Sequence, residues 1–347
     1  VRRFPALTPL VFCALAACSP NAGDILMPAG DIRPPAILEA GQRSPGIFEV
    51  LFDEDISPVG ERFAFDPGVV VATPRADGAS LEVSLTPPVG AGIPCSLAGE
   101  AKDASGNVTR FLFTFVGYNE RPAKLRVNEV QTGKNSSVSN PHRDYIEFLA
   151  EEGGDLGGVF VQWSSTAKLA AYAFPPCEVA KGAVIVLHCA PEGLPCEIDE
   201  TGANLGASGG VDSSGSGRDF WTQAGGLPDE TGIIAVRGRE ADPPGDGLFY
   251  AASTKTGAID SARLLAAFAE LSDAGLWAAS SPPAWEDGFA WKSSSSRPLH
   301  RVAGDAVGKE GWYVGESGTQ SPGLAGAGVP KAKAAPRKSK MGAAKGG

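Results

Sequence analysis

The chain is poor in histidine, methionine and helical patterning. Its 347 residues include three histidines and two methionines. His142, His188 and His300 are scattered and no Cys-x-x-Cys occurs, so no spacing typical of a zinc site is present. Beyond the first twenty residues no stretch is long and apolar enough to cross a bilayer, which takes about 20 residues. The Gly/Ser-rich run NLGASGGVDSSGSGRD lacks a P-loop lysine, which argues against phosphate cradling. Glycine (45) and proline (28) are abundant instead. With ordinary apolar content, that composition favours short strands joined by many turns.

Charge is uneven. Lys331, Lys333, Arg337, Lys338, Lys340 and Lys345 carry +6 with no acid near the C-terminus. Residues 18–330 hold 22 basic and 40 acidic side chains, a balance of −18. Such a body repels nucleic-acid phosphates, so no specific nucleic-acid binding is expected. Residues 326–347 read as a basic, disordered tail.

The first seventeen residues have the layout of an export signal. Arg2 and Arg3 lead, Phe4 to Ala17 are uncharged and mostly apolar, and Ala16-Ala17 make a small-residue cleavage site. The run is too short for a membrane span, and Pro5 and Pro9 weaken it as a helix. Leu15-Ala16-Ala17-Cys18 resembles the bacterial lipobox. That resemblance implies cleavage between Ala17 and Cys18, acylation (palmitate-type) of Cys18, and attachment to a lipid bilayer. Residues 18–33 would then form a lipid-anchored tether. Ser19 is not the Asp that retains some lipoproteins at the inner membrane, so the expected location is the cell envelope, at the outer membrane.

Export favours disulfides. Cys189 and Cys196 bracket a short loop and are the first pair expected. Cys177 facing Cys189 across a hairpin is an alternative, and Cys95 lies apart in the first domain.

From Pro34, strand-like pieces recur: IFEVLF, RFAFDPGVVVA, SLEVSLTP and RFLFTFVGY. Alternation with turn signals about every ten residues predicts an all-β sandwich over 34–119. In KDASGNV, Asp103 and Asn107 flank Ser105-Gly106, a turn in which Gly supplies a positive φ and Asp bonds the backbone. FDEDI, LEVSL, DASGN and FLFTFVGYN together resemble a bacterial Ig-like domain. Asp53, Glu54, Asp55 and Asp103 are weighed as calcium ligands, but structural turns are preferred and no metal is expected.

LRVNEVQTG, then RDYIEFLAEEGGDLGGVFVQW, then YAFPPCEVAKGAVIVLHC resembles the lamin tail domain, an Ig-like β-sandwich also found in exported bacterial proteins. The motif residues are Asn128-Glu129-Val130, Asp144-Tyr145-Ile146-Glu147-Phe148, Leu156-Gly157-Gly158, Phe174-Pro175 and Lys181-Gly182. SSSSRPLHRV, GWYVGESG and QSPG are similar to the closing segment of that family. The resemblance covers 125–325. It implies that Asn128, Glu129, Asp144, Tyr145 and Glu147 are structural, the carboxylates accepting hydrogen bonds within the fold. Leu149-Ala150-Glu151 departs from the Tyr-Asn that family members often carry. Residues 251–295 look inserted. Within them Leu264, Leu265, Phe268 and Leu271 at helical spacing, with Asp260 as N-cap and Gly275 as stop, predict one amphipathic helix packed on the sandwich.

The expected architecture is therefore all-β: two Ig-like sandwiches in tandem, the second with a long insertion containing a helix. Ser208 in Gly-Ala-Ser-Gly-Gly matches a nucleophile-elbow pattern without the strand and helix that it needs. Trp277, Trp285, Trp291 and Trp312 are either core residues or a recognition surface. No catalytic residue and no cofactor is expected. The expected role is non-enzymatic, binding an unknown protein or glycan or building the envelope. The alternative is an accessory or catalytic component of an exported hydrolase of nuclease or phosphatase type.

Overall fold

The computed structural model describes residues 31–60, 63–66, 71–133, 142–292, 294, 296–304 and 306–324. The export signal, Cys18, most of the tether and the basic tail lie outside the described residues.

Among the described residues the fold is all-β apart from one α-helix and two short 3-10 turns. In the first part, β1 (Ile37–Ser44), β2 (Ile47–Phe52), β6 (Ser80–Thr86) and β5 (Val71–Asp77) form one sheet in that order. In the second sheet β7 (Pro94–Lys102) pairs with β3 (Ser57–Pro58), β4 (Ala64–Asp66) and β8 (Val108–Val116). Alternation along β2, β6 and β7 turns every second residue inward. Phe48, Val50, Phe52, Leu81, Val83 and Leu85 share one core with Phe65, Cys95, Leu97, Ala101 and Phe111. The turn between β7 and β8 is closed as the sequence predicts: Asp103 accepts from the Asn107 amide and Nδ2, and Gly106 has φ +90°.

A second, larger sandwich follows. Its six-stranded sheet runs β16 (Arg218–Trp221), β15 (Val184–His188), β10 (Tyr145–Glu152), β9 (Lys124–Gln131), β20 (Leu299–Arg301), β21 (Trp312–Val314). Its five-stranded sheet runs β13 (Leu169–Ala173), β12 (Phe160–Ser164), β17 (Thr231–Arg237), β18 (Asp246–Ala251), β19 (Phe289–Ala290). The small strands β11 (Gly154–Asp155) and β14 (Glu178–Val179) pair with each other.

Every residue of β17 and β18 is buried, so these strands show no in–out alternation. The cause is α1 (Ala262–Asp273), which covers the face of their sheet turned away from the core. Leu264, Ala267, Phe268 and Leu271 face inward, and the Phe268 ring lies 5.0 Å from that of Phe249. Gly247 permits this approach, because a Cβ there would lie 2.6 Å from Leu271 Cδ2. The helix packs as predicted. Its N-cap, however, is Ser261 rather than Asp260: the Ser261 Oγ accepts the Leu264 N–H. The C-cap is Ala274, and Gly275 follows with φ +72°.

The linker between the sandwiches is clamped rather than loose. Asn119 Nδ2 donates to the carbonyls of Asp155 and Gly157, both at 2.8 Å. Arg239 Nη1 donates to the Asn119 carbonyl, and its guanidinium lies 4.4 Å from the centre of the Tyr118 ring. Beside this clamp a cleft of about 510 Å³ opens between β1, the end of β8 and the loop 239–242.

Phe268 is sealed between helix and sheet, so its loss leaves a cavity. Phe268→Ala should destabilise the fold by about 3–5 kcal/mol, read as a lower midpoint in chemical denaturation. Arg263→Ala, on the exposed face of the same helix, should change stability by no more than about 0.5 kcal/mol.

Candidate functional site

The face of the six-stranded sheet turned away from the core is polar, yet sealed. Register sets this up. Glu147 on β10 stands opposite Glu129 on β9, and Glu129 stands opposite His300 on β20. Tyr145 stands between Gln131 and His188. The β9–β10 register shifts between Glu129 and Val127, leaving Asn128 as the extra residue of a bulge. The bulge lets Asn128 Nδ2 reach Glu147 Oε1 at 2.6 Å. Glu129, Glu147, Tyr145, His188 and Asp219 are all 0 % exposed.

Two segments cover this face. The first is the loop preceding β16. There Glu200 accepts from the amides of Ala207, Ser208 and Asp219, while Asp219 bonds His188 Nε2 at 2.9 Å. The His188 ring stacks on Trp221. The second is the closing segment Ser321–Leu324. Ser321 donates its Oγ–H to Glu129 Oε2 at 2.6 Å and its amide to Glu129 Oε1 at 3.2 Å. The Tyr145 hydroxyl donates to Glu129 as well. The Gly323 amide donates to Glu147 Oε2 at 2.8 Å. Gly323 has φ +80°, and a Cβ there would lie 2.3 Å from Ser214 Oγ, so only glycine fits.

Burial governs the charge states. Desolvation, then the neighbouring Glu129, push the Glu147 carboxyl up to about 8. Desolvation also raises Glu129. The His300 imidazole, 3.5 Å from Glu129, is held down at about 4 by burial. Asp144, which accepts the Gly133 and Leu227 amides, is raised to about 6, first by desolvation.

The structure brings together Asn128, Glu129, Tyr145 and Glu147, and sets Asp144 at the start of β10 as a backbone anchor. All five hold the fold by hydrogen bonds. His300, Ser321 and Gly323 complete the cluster; the sequence places them in the closing-segment motifs SSSSRPLHRV and QSPG without joining them to these carboxylates. The available signal was polar residues at every second position of strands deep inside the sheet, as in Tyr145-Ile146-Glu147-Phe148.

Other sequence candidates resolve differently. Ser208 lies in a loop with its Oγ accepting the Trp221 indole N–H at 2.9 Å. Trp277, Trp285, Trp291 and Trp312 are buried members of the second core rather than a recognition surface. The disulfide expected among Cys177, Cys189 and Cys196 is not formed: among the described residues Cys95, Cys177, Cys189 and Cys196 are free thiols. Cys189 is locked in the core with its Sγ toward the Leu187 carbonyl, and Cys177 Sγ turns to Thr201 O, while Cys196 is exposed on a loop. Of the acids weighed for calcium, Asp53 pairs instead with Arg33. Asp31, Glu54 and Asp103 do converge, with carboxylate oxygens within 4.8 Å of one another. Desolvation and then the neighbours Asp31, Asp103 and Asp53 raise Glu54.

Two predictions follow from burial. The folded chain keeps a proton on Glu147 that the unfolded chain releases near 4.5. Its contribution to stability is therefore complete below pH 4.5 and lost as pH rises through about 8. Glu147→Gln should flatten the decline in melting temperature between pH 5 and 8. Maleimide labelling of the native chain, mapped by peptide mass spectrometry, should modify Cys196 at least about tenfold faster than Cys95, Cys177 or Cys189, because only exposed thiols react readily.

Residues 123–314 match the model of a protein family described as the TP_1001 protein second domain. A Treponema pallidum (strain Nichols) protein, named only as an uncharacterized protein, is 30% identical over 133 residues. That stretch is 38% of this chain and 32% of the relative, so it spans about a third of the relative's length. The matched family region takes in all of the second sandwich, from β9 to β21, and the chain belongs to the TP_1001 second-domain family.

Proposed function

We propose that this protein is a bacterial envelope lipoprotein, held to the outer membrane through acylated Cys18, with a non-enzymatic binding or structural role. In this reading the first sandwich is a bacterial Ig-like domain and the second a lamin-tail-like domain. The observation that carries the anchor is Leu15-Ala16-Ala17-Cys18 behind a basic and then apolar leader. An acyl chain contributes about 0.8 kcal/mol per buried methylene, and two or more chains hold a protein stably without a spanning helix.

A binding role is supported by where the reactive groups sit. Glu129 and Glu147 accept hydrogen bonds from the closing segment and have no solvent contact. One accessible concavity is the cleft at the domain junction, lined by Gln42, Arg43, Phe115, Tyr118 and Arg239. It mixes aromatic surface with donors and acceptors, a lining suited to a protein segment or a glycan.

The test is expression of the full precursor in a bacterium beside Cys18→Ala, with membrane fractionation and mass spectrometry of the mature N-terminus. Lipid-modified Cys18 in the membrane pellet, lost in the variant, is the expected result. An unmodified N-terminus and a chain in the soluble fraction would overturn the anchor.

A further inference from the structure

The closing segment rests on an arrangement that cannot carry full charge. Glu129 and Glu147 are direct cross-strand neighbours, both without solvent contact. Among the described residues neither forms an ion pair with a lysine or arginine. Two adjacent buried carboxylates without a countercation cannot both ionise cheaply, so such a pair keeps one proton. One charge on the pair is well served. Ser321 N–H and Oγ–H, Tyr145 O–H, Asn128 Nδ2 and the Gly323 N–H all point at these four oxygens. Two charges would exceed what those donors stabilise, and the only relief is water. Ser321 and Gly323 lie directly on the pair, with the loop before β16 packed against Gly323.

The other groups around the pair offer no substitute. On the sheet, His300 lies beside Glu129 but stays neutral at ordinary pH, with Tyr313 opposite it on β21. His188 on β15 is committed to Asp219 on β16. From the covering loops, Asp212 adds a further negative charge and is bonded by His142, and Glu200 adds another. Arg143 next to His142 turns its guanidinium to Glu192. The closing segment itself brings no cation.

We infer that Ser321–Leu324 is a proton-operated latch. It stays seated while the Glu129–Glu147 pair shares a proton, and it lifts from the sheet when both carboxyls ionise. Lifting admits water to a row of carboxylates. The rest of the second sandwich stays folded, because its core between the two sheets includes none of these groups.

Hydrogen exchange of the full chain, followed by mass spectrometry from pH 6.5 to 9.5 and corrected for intrinsic exchange rates, tests this. Protection of the Ser321, Gly323 and Leu324 amides should fall roughly tenfold per pH unit while the seated pair keeps the proton that the lifted pair has released, and should level off once the seated pair itself ionises. Amides of β12 and β17 should keep their protection. In Glu147→Gln, which keeps an acceptor but cannot ionise, the fall should vanish. Glu129→Gln supplies the same comparison should the first variant fail to fold. Constant protection to pH 9.5 in the natural chain would overturn the latch. So would a loss shared equally with β12 and β17, or an equal loss in a folded Gln variant.

Discussion

The second sandwich depends on one constraint: the central strands of both its sheets are covered on both faces. A sandwich ordinarily leaves its two outer faces to water and fills them with polar residues. Here the five-stranded sheet meets α1 on its outer side, so β17 and β18 are buried throughout. The six-stranded sheet keeps a polar outer side and has it roofed by loops. The two solutions differ in kind. An apolar roof needs only shape, as Gly247 under Leu271 shows. A polar roof needs a partner for each group, since an unmatched buried polar group costs free energy. That requirement fixes Ser321 and Gly323 against Glu129 and Glu147.

The fold itself was legible because it is written locally. Alternation in IFEVLF and SLEVSLTP marks strands with one wet face, and the spacing of Leu264, Phe268 and Leu271 marks a helix. Asp103 with Asn107 makes its turn within five residues. What was not legible is non-local. Nothing near Glu129 indicates that Ser321, 192 residues on, bonds it. The tryptophans were ambiguous for the same reason, since only the packing of α1 and the segment after it decides that they are core. Cysteine spacing also misled. Cys189 and Cys196 are close in sequence, but one ends a buried strand and the other sits on an exposed loop. At the helix start two adjacent residues, Asp260 and Ser261, both suit an N-cap, and only the backbone shows that Ser261 takes the role.

The two ends of the described chain are each tied down. Arg33 pairs with Asp53, Asn107 Nδ2 donates to the Asp31 carbonyl, and Thr109 Oγ donates to the Pro35 carbonyl. A tether leading to a lipid anchor would therefore begin at the edge where β1 and β8 start side by side. At the far end of those strands lies the linker clamp of Asn119, Tyr118 and Arg239. The first described residues and the junction cleft thus lie at opposite ends of the first sandwich; on the proposed reading, that sandwich would act as a spacer holding the cleft away from the membrane.

The chain contains two groups of acids with opposite physics. Asp31, Glu54 and Asp103 converge at the edge of the first sandwich with Asp31 exposed and Glu54 half-buried, and the buried Asp103 is satisfied by its own turn. Such a group tolerates its charge and adds little to stability. Glu129 and Glu147 converge where nothing screens them. The same chemical groups then become dependent on a proton and on five donors, three of them from the distant closing segment. Burial, more than residue type, decides which acidic cluster couples to structure, and here it does so beneath Ser321–Leu324.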